Sequence, residues 1–134
     1  MKTLVTTLDT FVRADGAILI ILGLLFWTGN ADALIPIHML LGIALVLALW
    51  TLAALAAGVG ANRWLVALAF VWGIITPLLG LTQTRLLPFQ GHWIIQILHL
   101  LVGLTAIALA QLLARAARRA MRDGSAQRTV ASVH

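Results

Sequence analysis

Two histidines, His38 and His99, stand inside long apolar stretches of this 134-residue chain, and each is followed four residues later by a glycine, Gly42 and Gly103. On a helix of 3.6 residues per turn, positions i and i+4 share a face, so each imidazole would stand beside a notch that carries no side chain. Ionisable residues within apolar spans are rare and usually functional. Because the chain contains no cysteine, disulfides, iron–sulfur clusters and thiolate metal sites are excluded, and imidazole is the only strong soft-metal ligand available. A bland reading stands beside the metal one. A histidine near the start of a membrane helix is often an interfacial polar group or a hydrogen-bonding partner in helix packing.

Other chemistries lack their parts. The only serines, Ser125 and Ser132, lie past the last apolar stretch, and no paired carboxylate is placed near a histidine within the spans, so no hydrolytic constellation is present. From Gly16 through Ala114 the only charges are Asp32, Arg63 and Arg85, which fall at helix ends or in loops. That pattern argues against an ion-coupled carrier, which needs buried acids or broken helices around a midplane site. Any enzymatic activity would then be redox chemistry at a bound group.

The elements that must position the histidines follow from composition. With 62% hydrophobic residues, 10% charged residues and a mean hydropathy of +1.05, the chain lies far outside the range of a water-soluble domain. Apolar runs of about 20 residues cross a hydrocarbon core as helices. Four such runs are expected here, at about 16–28, 35–57, 64–81 and 91–114, forming one all-α, four-helix up-down-up-down bundle over residues 1–122. Residues 1–15, interrupted by Lys2, Asp9, Arg13 and Asp15, read as an interfacial helix or an extension of the first span. Gly29, Asn30 and Asp32 make the first turn, Pro36 suits the first turn of the second helix, and Gly58, Gly60 and Asn62 end that helix. Pro77 bends the third span. Asp123, Gly124 and Ser125 are expected to stop the fourth, leaving 123–134 as a disordered basic tail.

Charge sets the orientation. Lys2, Arg13, Arg63 and the five arginines from Arg115 onward fall on one side and only Arg85 on the other, which places both termini in the cytoplasm, in a bacterial inner membrane. The formal charge of +5 therefore reflects a juxtamembrane basic cluster that suits topology and anionic lipid, and nucleic acid is not an expected partner. His38 lies 20 residues before Gly58, and His99 lies 16 before Arg115 and 20 before Arg119. At about 1.5 Å per residue both imidazoles then stand roughly 24 to 30 Å above the inner boundary, in the outer third of the bilayer. In an up-down bundle, spans two and four would be diagonal neighbours about 11 to 14 Å apart. A haem edge fits such a gap, with Gly42 and Gly103 as clearance and with its propionates toward the outer water, where Arg85 and His92 could meet them. Gln96, Thr76 and Thr82 are candidates for hydrogen bonds to a ligand imidazole.

The arrangement resembles the membrane-embedded four-helix b-type cytochromes, in which alternate helices of a bundle carry histidine ligands with glycines against the haem. The resemblance rests on I-H-M-L-L-G from Ile37 and L-H-L-L-V-G from Leu98, on two of four spans, whose similarity also hints at a duplicated two-helix unit. It implies one haem b with His38 and His99 as axial ligands, Gly42 and Gly103 as clearance positions, and electron exchange with a quinol or a redox partner protein. Those cytochromes usually carry a second histidine pair near the other face, where this chain has Trp50, Thr51, Ala106 and Gln111, so one haem per bundle is implied. Another metal or pigment, a structural or assembly subunit of a membrane complex, a small transporter and a homo-oligomer remain alternatives at this stage.

Overall fold

The computed structural model describes residues 1–29, 31–86 and 91–131, with side chains except those of residue 84 and residues 125–131. Asn30 of the expected first turn, the connection at 87–90 and the end of the tail at 132–134 lie outside the described residues. Four helices make up the fold: α1 (Lys2–Trp27), α2 (Ile35–Gly58), α3 (Arg63–Thr82) and α4 (His92–Ala131). Single 3-10 turns at Asp32–Leu34 and Gln83–Arg85 precede α2 and follow α3. No strand occurs among the described residues.

Local chemistry explains the helix ends. Pro36 sits in the first turn of α2, where a missing N–H costs nothing. The α2–α3 turn uses Gly60 at φ 79°, a backbone region closed to most side chains, and Asn62 caps α3 by accepting the Trp64 N–H at 2.9 Å. Within α3, Pro77 removes one backbone donor, while the Thr76 and Thr82 hydroxyls donate back to the Trp72 and Leu78 carbonyls.

Each of the four helices is long and apolar enough to cross a membrane. Large apolar side chains cover their outer surfaces, with Leu40 67% and Leu78 59% exposed. The core instead uses small residues. Ala48, Ala53 and Ala56 of α2 and Ala106, Ala110, Ala114 and Ala117 of α4 are buried around Leu49, Leu52 and Leu113. Alanine faces let the backbones of packed helices approach closely.

Three expectations are corrected. The first helix does not begin at 16: of the two readings of residues 1–15 the extension holds, since α1 is one helix of 26 residues from Lys2 and its N-terminal half packs into the bundle through Val5 and Val12. The acids that seemed to interrupt it face inward, with Asp9 6% and Asp15 2% exposed. The fourth helix does not stop at Asp123 but continues through Gly124 and Ser125 to Ala131, so 124–131 is helical rather than a disordered tail. A single interior glycine costs a helix only about 1 kcal/mol, which flanking alanines and arginines offset. Finally, α2 and α4 are not the far diagonal. They pack directly on each other, each also contacts α1 and α3, and α1 and α3 occupy the outer corners. The paired alanine faces bring α2 and α4 together.

Candidate functional site

The close approach of α2 and α4 puts His38 and His99 side by side, with ring centroids 6.3 Å apart and planes inclined at 54°. Phe26 of α1 meets His38 edge-on at 5.3 Å. The Nδ1 atoms of both histidines are enclosed, and no protein atom hydrogen-bonds to either. Buried polar atoms are nearly always paired, so these two nitrogens are placed to meet a water, an ion or a bound group.

The rings border a cavity of about 550 Å³ to which all four helices contribute, a size within the range of about 300 to 1,000 Å³ typical of small-molecule and cofactor sites. Gly42 and Gly103 line it as the sequence suggested, and a Cβ at either would meet nothing within 4 Å. Two further glycines, unsuspected from sequence, stand against the rings themselves. A Cβ on Gly23 of α1 would lie 4.0 Å from Cε1 of His38, and one on Gly80 of α3 would lie 3.0 Å from Cε1 of His99. Each histidine is therefore flanked by a glycine on its own helix and one on the helix before it. The signal for the second pair was present, since each half of the chain has a glycine near the end of the span preceding its histidine, but only the packing shows that they matter.

His92 and Gln83 line the cavity together with Asp32 and Trp27, and His92 starts α4 seven residues before His99. Arg85, expected beside them, is exposed on the turn after α3 and does not line the cavity. The three residues expected to hold the imidazoles are engaged elsewhere. Gln96 accepts a hydrogen bond from Trp27 Nε1, and the hydroxyls of Thr76 and Thr82 bond to their own helix. Short hydroxyl side chains in a helix find the carbonyl one turn back before they can reach a neighbour.

Two imidazoles do not make a closed site for a bare metal ion. Among the described residues no three His, Cys, Asp or Glu side chains converge, whereas a structural ion such as zinc takes four protein ligands. A metal that brings its other ligands with it would need only two protein donors, and His38 and His99, with centroids 6.3 Å apart, are the residues that would supply them. Gly42 and Gly103 leave open space beside the cavity, while the room at Gly23 and Gly80 is taken up by the histidine rings. The two imidazole donors and the open walls at Gly42 and Gly103 suit a group of that kind.

At the opposite end of the bundle, Asp9 accepts hydrogen bonds from Arg13 at 3.1 Å and from both terminal nitrogens of Arg118 at 3.2 Å. The Trp27–Gln96 pair ties α1 to α4 at the cavity end, so these two helices run antiparallel. Compared with protein-family models, with curated proteins and with solved structures, the chain matches none.

Proposed function

We propose that this chain is an integral membrane protein that carries one b-type haem between His38 and His99 and transfers electrons through it. The observation that carries the reading is the pair of rings with unpaired buried nitrogens, 6.3 Å apart beside a glycine-walled cavity. Exposed apolar side chains on every helix, together with four spans of sufficient length, support insertion in a bilayer in an up-down-up-down sense. The basic end marked by Arg13 and Arg118 would face the cytoplasm of a bacterial inner membrane, which places both termini inside and the cavity toward the outer face.

The haem would supply one-electron chemistry, and with two histidines of the protein holding it that chemistry would be electron transfer rather than ligand binding. His38 and His99 would hold the iron from α2 and α4. Gly42 and Gly103 would keep those helices clear of the ring, while Gly23 and Gly80 let α1 and α3 press the imidazoles into place. Phe26 limits rotation of His38. His92 and Gln83 line the cavity with Asp32 and would offer hydrogen-bond donors to the carboxylates of a bound haem. The donor or acceptor would be a quinol or a partner protein reaching the outer end.

Protein purified from haem-replete cells is expected to be red, with a Soret band that sharpens on reduction. His38→Ala and His99→Ala should each remove the band while the protein still inserts. Colourless protein from such cells would refute the reading.

A further inference from the structure

Asp15 has no part in the cavity, yet it is the most deeply enclosed acid described, 2% exposed, with both carboxyl oxygens buried and without a hydrogen-bond partner. Its surroundings can be read from the helix register. The next residue, Gly16, packs against Ile107 of α4, where a Cβ would lie 2.6 Å from Cδ1, and Gly23 sets the level of His38 on α2. Asp15 therefore lies about 12 Å, eight residues, below the imidazoles. At that level α2 presents Leu45, Val46 and Leu49, and α4 presents Ala106, Leu109 and Ala110, all buried and apolar.

The charged and titratable groups nearest to it are engaged elsewhere or distant. On α1, Arg13 is two residues away on a different face of the helix, exposed and bonded to Asp9, which lies six residues or about 9 Å toward the basic end and also accepts from Arg118. On α4 the nearest is Arg115, which is exposed and belongs to that same end. On α2 it is His38. The outer corner helix, α3, does not pack substantially on α1.

An ionised carboxylate enclosed by hydrocarbon side chains would lose its hydration with nothing in return. The neutral acid loses far less. A metal cation would need further ligands, and among the described residues no third acid, histidine or cysteine joins a cluster here. The ligand left is H⁺. We propose that Asp15 is a proton-binding site, a carboxyl group in the inner half of the bundle that binds and releases a single proton within the membrane. The site contributes nothing to holding the fold together, because an unpaired buried acid destabilises its surroundings. It gives the bundle a place for a proton on the cytoplasmic side of its cavity. The proposal does not depend on haem, and it stands or falls separately from that reading.

The test is infrared spectroscopy of the full chain in lipid, from cells grown with and without haem supply. The wild type is expected to show the carbonyl band of a protonated carboxylic acid that fades as pH is raised and shifts in D₂O. Asp15→Asn should lack this band and Asp9→Asn should keep it, with or without pigment. As a second reading, Asp15→Leu should be at least as heat-stable in detergent as the wild type, since it removes an unpaired buried polar group. Spectra of wild type and Asp15→Asn that coincide across the pH range would overturn the proposal. So would a band abolished by sodium ions at constant pH, which would make the site one for a metal cation.

Discussion

Filling the cavity from one of its glycines separates a binding site from a packing defect. Gly103→Leu is the informative change, because a Cβ there meets nothing within 4 Å, and because a helical side chain leans toward the N-terminus of its helix, here toward His99 one turn away. The four added carbons occupy roughly 100 Å³, and at about 24 cal/mol per Å³ of void removed the gain in the empty protein is at most about 2.4 kcal/mol. Replacing an interior helical glycine adds about 1 kcal/mol. The variant should therefore fold as well as the wild type and, without pigment, melt at a higher temperature. The same leucine takes about one fifth of the 550 Å³ beside the histidines, so haem can enter only by forcing α2 and α4 apart. A penalty of about 1.4 kcal/mol or more is a tenfold or greater loss of affinity. The assay is the ratio of Soret to protein absorbance after purification at limiting haem, paired with a melting curve. Gly42→Leu should behave alike. A Gly103→Leu protein that keeps full pigment would refute the placement of the macrocycle between these helices.

Gly80→Ala should keep its pigment but shift the midpoint potential measured by redox titration, because the new methyl stands 3.0 Å from Cε1 of His99 and must move the ring by a few tenths of an ångström. Gly80→Leu at the same position should lose the pigment altogether. Asp9→Asn removes the negative charge that Arg118 and Arg13 share while keeping one acceptor oxygen; with Arg118 partly exposed, the expected loss is about 1 kcal/mol, read as a lower melting temperature with an unchanged spectrum. Trp72→Phe deletes the 2.9 Å hydrogen bond from Nε1 to the Val102 carbonyl, which joins α3 to α4 one residue from Gly103. Melting curves should show a cost of about 0.6 kcal/mol, the average for such bonds within a membrane.

What could be read from the sequence, and what could not, divides along one physical line. Hydropathy and counting along a helix are local, so the four apolar elements, the Gly60–Asn62 turn, the face shared by each histidine with its glycine, and the common height of the two histidines were accessible. Lateral arrangement was not. In a water-soluble bundle the inward face of a helix is its apolar stripe, but α2 is apolar all round, so nothing in its pattern says which side meets α4. The alanines that decide it, such as Ala53 and Ala110, look the same from sequence as exposed Ala54 and Ala108. Hydropathy also misled at α1, where acids in a run of apolar residues normally mark the edge of a span. Asp9 escapes that rule through an arginine 109 positions away, which no local window contains. Asp15 escapes it without any partner. Asp15 sits one residue before the continuous apolar run that starts at Gly16, so hydropathy alone puts it at a helix end although it lies inside α1 and is buried there. Within a bilayer, an interruption of the apolar pattern is as informative about what the interior holds as about where the helix ends, and only the packing of the other helices tells the two apart.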